Sequence, residues 1–257
     1  MDYPLQRERR RFDMGRVVER TFGVLGAHLA PFLLMALVLV AVPSALVALG
    51  AQRFVTDLEA GGTAEGWLVM VGGILVSVVC AYLLQAAVVH ASVEDMRGRS
   101  AGIGKSLRVA VSHIVPLVVM ALISALGVMI GFMLLVFPGI LLAVCWSVMV
   151  PARVVVRRGI FQSMGRSFDL TEGSRWAILL LVVVYAVVAW ILSMIFALIG
   201  VALGGLGAGT MLVEVVISPL VSAFTSVISA VGVAAMYFEL RAIKEGVAHE
   251  NLAAVFE

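Results

Sequence analysis

The stretch Gly102-Ile103-Gly104-Lys105-Ser106 carries the glycines, lysine and hydroxyl that a phosphate-binding loop uses. Such a loop needs a further glycine five residues before the glycine that precedes lysine, and an apolar strand leading into it. Arg99 stands at that place, and no apolar strand precedes it. The spacing therefore argues against nucleotide chemistry. His28, His90, His113 and His249 share no metal-ligand spacing, and no HExxH pattern occurs. No GxSxG elbow accompanies the many serines. Cys80 and Cys145 lie in the middle of apolar runs and read as small buried hydrophobes. The chain is accordingly expected to be non-enzymatic, with no cofactor and no metal.

Two sets of charged residues remain. Glu214 is the one carboxylate near the interior of an apolar run. An acid inside a membrane is a functional candidate by default. Glu214 also lies about one turn inside its run, where it favours a helix N-terminus and reaches water. The second set is basic: Arg16, Arg20, Lys105, Arg108, Arg153, Arg157, Arg158 and Arg166. Basic side chains beside a membrane attract anionic headgroups.

The elements that position these residues follow from composition. The chain of 257 residues is 62% hydrophobic and 13% charged, with a mean hydropathy of +1.12. A soluble domain cannot hide that much apolar surface, so lipid must be the solvent for much of it. Six runs have the length of a membrane span: about 29–49, 67–90, 114–137, 139–156, 176–199 and 211–240. The fourth is weakest, because Pro151 and Arg153 fall inside it. The first is too long and too far from the start for a cleaved signal. Pro219 should bend the sixth near its outer third. Gly127, Gly131 and the stripe Ser218, Ser222, Ser226, Ala230, Ala234 read as close helix contacts.

Seventeen of the eighteen Lys and Arg residues fall on one side of these spans; Arg53 alone falls on the other. The positive-inside rule makes that side the cytoplasm and puts both termini there. The expected location is a bacterial inner (plasma) membrane.

Three short patterns precede alternate spans: VERTF (18–22), IGKSL (103–107) and MGRSF (164–168). Each joins an apolar residue, any residue, a basic one (Glu19 precedes it in the first), a small hydroxyl, and Phe or Leu. Eight residues after the basic one stand His28, His113 and Ser174. HLAPFLLMAL and HIVPLVVMAL then match closely. The reading is a three-fold internal repeat of about 14–90, 99–156 and 160–240, followed by a short tail at 241–257. Each repeat would be an amphipathic helix lying in the cytoplasmic interface, then a membrane hairpin. The apolar stripes would be Met14, Val17, Val18, Phe22 and Leu25; Ile103, Leu107, Ala110, Val111 and Ile114; and Ile160, Met164 and Phe168. The fold class is thus all-α: a polytopic membrane protein with six transmembrane helices and three interfacial amphipathic helices.

FPGILLAVCWSVMVPA (137–152), GRSFDLTEGSRW (165–176) and ELRAIKEG (239–246) resemble the membrane-domain family of glycerophosphoryl diester phosphodiesterases. The resemblance implies a six-span membrane domain. It also implies an acid after the fourth span, where Arg157 and Arg158 stand instead. Some relatives carry a soluble phosphodiesterase domain after the membrane part; with fifteen or so residues after the sixth span that domain is not expected here, and the enzymatic label is not expected to carry over. The expected function is to engage or organise phospholipid, or a membrane partner, through the cytoplasmic basic helices. A small transporter or lipid-translocating protein is the alternative. Expected partners are anionic membrane lipids, and a protein partner or a second copy; nucleic acid is not expected.

Overall fold

The computed structural model describes residues 12–59, 64–96, 102–156, 159–204 and 213–253. Among the described residues ten α-helices run in order: α1 (Met14–Ala36), α2 (Val42–Glu59), α3 (Ala64–Met96), α4 (Ile103–Ser112), α5 (Ile114–Leu134), α6 (Val136–Cys145), α7 (Met149–Val156), α8 (Ile160–Thr171), α9 (Arg175–Gly204) and α10 (Ser218–Ala253). Two π-helical segments, Leu37–Ala41 and Val213–Ile217, join α1 to α2 and lead into α10. No strand occurs among the described residues. Six helical stretches among the described residues are long and apolar enough to cross a membrane: Met14–Thr56, Gly66–Asp95, Ile114–Leu134, Val136–Val155, Arg175–Ala202 and Val213–Glu245. The chain is a helical membrane protein.

Proline sets where these helices break. A proline cannot donate to the carbonyl four residues back, and its ring collides with that carbonyl. Six prolines lie in the described residues, and three residues before each the helix departs from α geometry. His28 precedes Pro31 with φ −131° and ψ 21°. Val40, before Pro43, lies in the first π segment, and Val216, before Pro219, in the second. His113, before Pro116, has φ −107° and ψ 12°. Leu135, before Pro138, is extended at φ −164° and ψ 150°. Val148, before Pro151, lies in a turn that splits the fourth span into α6 and α7. Pro219 thus distorts the last span as expected, and five further distortions follow the same rule.

The connection after the third span differs from the sequence expectation. The two runs meet at Pro138 in the sequence, but the chain reverses at Leu135 alone, and Phe137-Pro138-Gly139 forms part of the first turn of α6. Proline suits a first turn, where its missing N–H would have no partner anyway. The reversal is this tight because two glycines meet. A Cβ on Gly131 would come within 2.8 Å of Gly139 Cα. Gly127 is likewise covered, by the Trp146 ring at 2.6 Å from its would-be Cβ.

The main core lies between α3 and α10, with Leu84, Val88, Val227 and Val231 buried against Met120 of α5 and Val150 of α7. The outer surface is apolar, because lipid rather than water faces it. α9 is the least buried span: Ile178 packs inward, while Val184, Trp190 and Leu198 are exposed. Cys145 is buried and Cys80 is half-buried; both are free thiols.

α4 and α8 stand apart from the spans. Their buried faces differ from the apolar stripes read in the sequence. In α8, Ser163, Met164, Ser167, Leu170 and Thr171 are buried, whereas Phe168 faces outward. In α1, Val17, Thr21, Val24 and Leu25 are buried, while Val18 and Phe22 are exposed. In α4 the buried residues are Ser106 and Ala110, and Val111 is exposed. The small hydroxyl of each pattern is the inward residue. Thr21 Oγ1 donates to Val17 O (2.7 Å), Ser106 Oγ lies 3.2 Å from His90 Nδ1, and Ser167 Oγ donates to Cys145 O (2.7 Å). A small side chain allows close approach, and its hydroxyl finds an acceptor. Hydrophobic periodicity alone cannot separate a core-facing from a lipid-facing apolar residue.

Candidate lipid-facing site

One end of the bundle gathers most of the described basic residues. Asp13 caps α1 there by accepting from the backbone N–H groups of Gly15 (2.9 Å) and Arg16 (3.3 Å). The Arg16 N–H, seconded by Gly15, holds the Asp13 carboxyl below the ordinary carboxylate range. Arg16 and Arg20, one helical turn apart, reach across to α10. Arg16 Nη2 lies 3.1 Å from Glu239 Oε1, and Arg20 Nη1 lies 3.3 Å from Glu239 Oε2. Arg16 Nε also pairs with Asp13 Oδ2 at 3.2 Å. The Glu239 side chain is 2% exposed, against 41% and 42% for Arg16 and Arg20. A buried carboxylate therefore holds two half-exposed guanidiniums at fixed positions. These contacts use two nitrogens of Arg16 and one of Arg20, so N–H groups remain on both for another acceptor.

The other candidates divide. Arg166 pairs with Glu245, which Arg241 also engages one turn earlier on α10. Lys244 lies 3.6 Å from Glu172 and donates to the Asp169 carbonyl. The third basic helix is thus tied to α10 rather than presented alone. Lys105 and Arg108 are exposed on α4 with no ion pair among the described residues. Arg153 is half-buried in the last turn of α7. Arg157 and Arg158 lie outside the described residues. Glu214 sits at the opposite end, exposed, accepting from Gln52 Nε2 at 3.2 Å.

Sequence reasoning found the arginines and missed the carboxylates that organise them. Glu239 and Glu245 close the last apolar run within ELRAIKEG. An acid directly after Tyr237-Phe238 is the signal: it is buried, and a buried acid needs a cation.

Beside this ion-pair group lies an apolar groove of about 260 Å³ between α1, α9 and α10. Val18, Phe22, Val184, Val188, Gly232 and Met236 line it, and Tyr185 and Ser229 close its deep part. Met236 stands one turn before Glu239, and Val17 and Thr21 flank Arg20. The arginines therefore sit at the groove's charged rim. His28 Nε2, 2.8 Å from Asp95, braces α1 against α3 where α1 bends. An anion over an apolar slot is the chemistry this arrangement offers.

No protein-family model, curated protein or solved structure matches this chain.

Proposed function

We propose that this is a non-enzymatic membrane protein that seats an anionic phospholipid at its basic end. Arg16 and Arg20 take the phosphate, and the groove between α1, α9 and α10 takes one acyl chain. The observation that carries this reading is the pair of half-exposed arginines, fixed by buried Glu239, at the rim of an apolar slot. Guanidinium matches phosphate geometry in a bidentate fashion. Near an anionic leaflet each basic residue contributes about 1 kcal/mol, so the exposed Lys105 and Arg108 add to the attraction.

The basic end is cytoplasmic on this reading, because seventeen of eighteen basic residues fall there. The membrane is the inner membrane of a bacterium. Reporter fusions after Glu257 and within residues 57–65 are expected to report opposite compartments. The same compartment for both would remove the six-span orientation.

α4, α8 and the start of α1 lie in the headgroup layer as a three-fold repeat of short helix and hairpin. Supporting this, the helix breaks at the same pattern position each time: at His28 inside α1, at His113 between α4 and α5, and at Ser174 before α9. The His113 and Ser174 carbonyls accept from Leu117 and Ile178, starting the next span. Exposed Phe22, Phe161 and Phe168 suit an interface. The likeness to the glycerophosphoryl diester phosphodiesterase membrane-domain family fits this layout of six spans.

Native mass spectrometry of detergent-extracted protein tests the lipid seat. The wild type is expected to retain anionic phospholipid in preference to zwitterionic, and less of it as salt rises. The neutral triple variant Arg16→Gln, Arg20→Gln, Glu239→Gln keeps the hydrogen-bonding groups but not the charge, and should lose that preference. Unchanged retention would refute the assignment.

A further inference from the structure

We propose that the space around Gln85 is a second site: a binding site for a small uncharged polyol at half the membrane depth, on a route across the bundle. It goes beyond the lipid seat, abuts its groove through the shared residues Tyr185 and Ser229, and does not depend on the arginines. Two cavities, about 240 and 270 Å³, lie on either side of α3 and share Tyr82 and Gln85 as lining. The first continues to Ser124, Trp146 and Ser147, the second to Tyr185, Ser226 and Ser229.

These residues form a layer. Gln85, Ser124, Tyr185 and Ser229 each stand ten residues from the basic end of their helix, counted from Asp95, Ile114, Arg175 and Glu239. At 1.5 Å per residue that is about 15 Å, half of a hydrocarbon core about 30 Å thick. Four separate spans thus put a polar group at one depth, where polar groups are costly unless satisfied.

The hydroxyls are mostly satisfied within the protein. Tyr185 Oη donates to Thr225 O at 2.8 Å, Ser124 Oγ to Ala121 O at 3.0 Å, and Ser147 Oγ to Val144 O at 2.8 Å. Tyr82 Oη is 3.4 Å from Ser124 Oγ. The Gln85 amide makes no hydrogen bond among the described residues. It offers two donors and two acceptor lone pairs to whatever fills the cavities. The fourth span is interrupted at the same layer, at residues 146–148, and Pro151 supplies no N–H for the Ser147 carbonyl. Interrupted helices at mid-depth expose backbone acceptors where transporters bind their solutes.

The lining selects the ligand class. It holds an amide, hydroxyls and one indole, and no charged side chain. An ion would enter without a counter-charge, at high cost. An uncharged molecule with several hydroxyls matches the amide and hydroxyls, and its C–H face suits Trp146.

The test uses the full chain in proteoliposomes with glycerol as the probe, following vesicle swelling by stopped-flow light scattering. Wild-type vesicles should admit glycerol several-fold faster than protein-free vesicles. Gln85→Leu should return entry to the protein-free rate while keeping a thermal midpoint at or above wild type, because it replaces an unpartnered amide with an apolar group. Should Gln85→Leu not fold, Tyr82→Phe and Ser147→Ala should each lower the rate instead. The variant Arg16→Gln, Arg20→Gln, Glu239→Gln should leave glycerol entry intact while losing lipid. Wild-type entry equal to that of protein-free vesicles, or water entry without glycerol entry, would overturn the proposal and leave the lipid seat standing. Entry unaffected by all folded lining variants would overturn it equally.

Discussion

Replacing Arg16 and Arg20 together with Gln should destabilise the protein more than replacing Glu239 alone. The reason is the asymmetry of burial. Glu239 is 2% exposed, whereas the two arginines are 41% and 42% exposed. Removing the arginines leaves a buried carboxylate without its cations, which costs about 3–5 kcal/mol. Removing the carboxylate leaves two guanidiniums that can turn to water or headgroups, at a smaller cost. For a chain of this size the double variant should lose on the order of 10 °C in thermal midpoint. Adding Glu239→Gln to it should recover most of that loss, because the uncompensated charge goes. Thermal unfolding in detergent reads all three variants. An Arg pair whose loss costs no more than that of Glu239 would show that the buried acid does not depend on them.

Gly131→Leu carries the second large effect. The two strands of backbone in the α5–α6 reversal meet at Gly131 and Gly139, with 2.8 Å between the would-be Gly131 Cβ and Gly139 Cα. The neighbour is backbone, so no side chain can swing aside. Overpacking of this kind costs about 1–3 kcal/mol, and here it also forces the hairpin apart. Gly165→Ala is the control: nothing lies within 4 Å of its would-be Cβ, in the middle of α8. Alanine there should stabilise by up to about 1 kcal/mol, through helix propensity. Equal midpoints for the two variants would contradict the close crossing.

Much of the architecture was legible in the residues. Apolar length marks all six spans, since nothing but a membrane accommodates runs such as 114–134 and 175–202. The breaks are legible as well, once each proline is read three residues back. The orientation of the short helices was only half legible. Phe168 and Met164 share an apolar period, yet Met164 is buried and Phe168 is exposed. Beside a membrane, both sides of such a helix can be apolar, so the small hydroxyls Thr21, Ser106 and Ser167 mark the inner face instead. The candidate site was legible as a set of charges but not as pairs. Glu239 meets Arg16 and Arg20 across more than two hundred residues of chain, and no local spacing encodes that meeting. Arg166 illustrates the difference: its type suits an anion, but Glu245 already holds it. Gln85 is the one amide side chain in a long, mostly apolar helix. Only the fold brings Ser124, Tyr185 and Ser229 to its depth.

The lipid seat is tested most directly by a phospholipid carrying a photoactivatable group partway down one acyl chain. After illumination of the protein in anionic proteoliposomes, labelled peptides are mapped by mass spectrometry. Labelling is predicted to concentrate on the groove, at residues 17–22 of α1, 181–188 of α9 and 228–236 of α10. It should fall in the variant Arg16→Gln, Arg20→Gln, Glu239→Gln, which loses the rim charges. Labelling spread evenly over the exposed apolar surface, including Leu126, Met133 and Leu198, and unchanged in that variant, would contradict the seat.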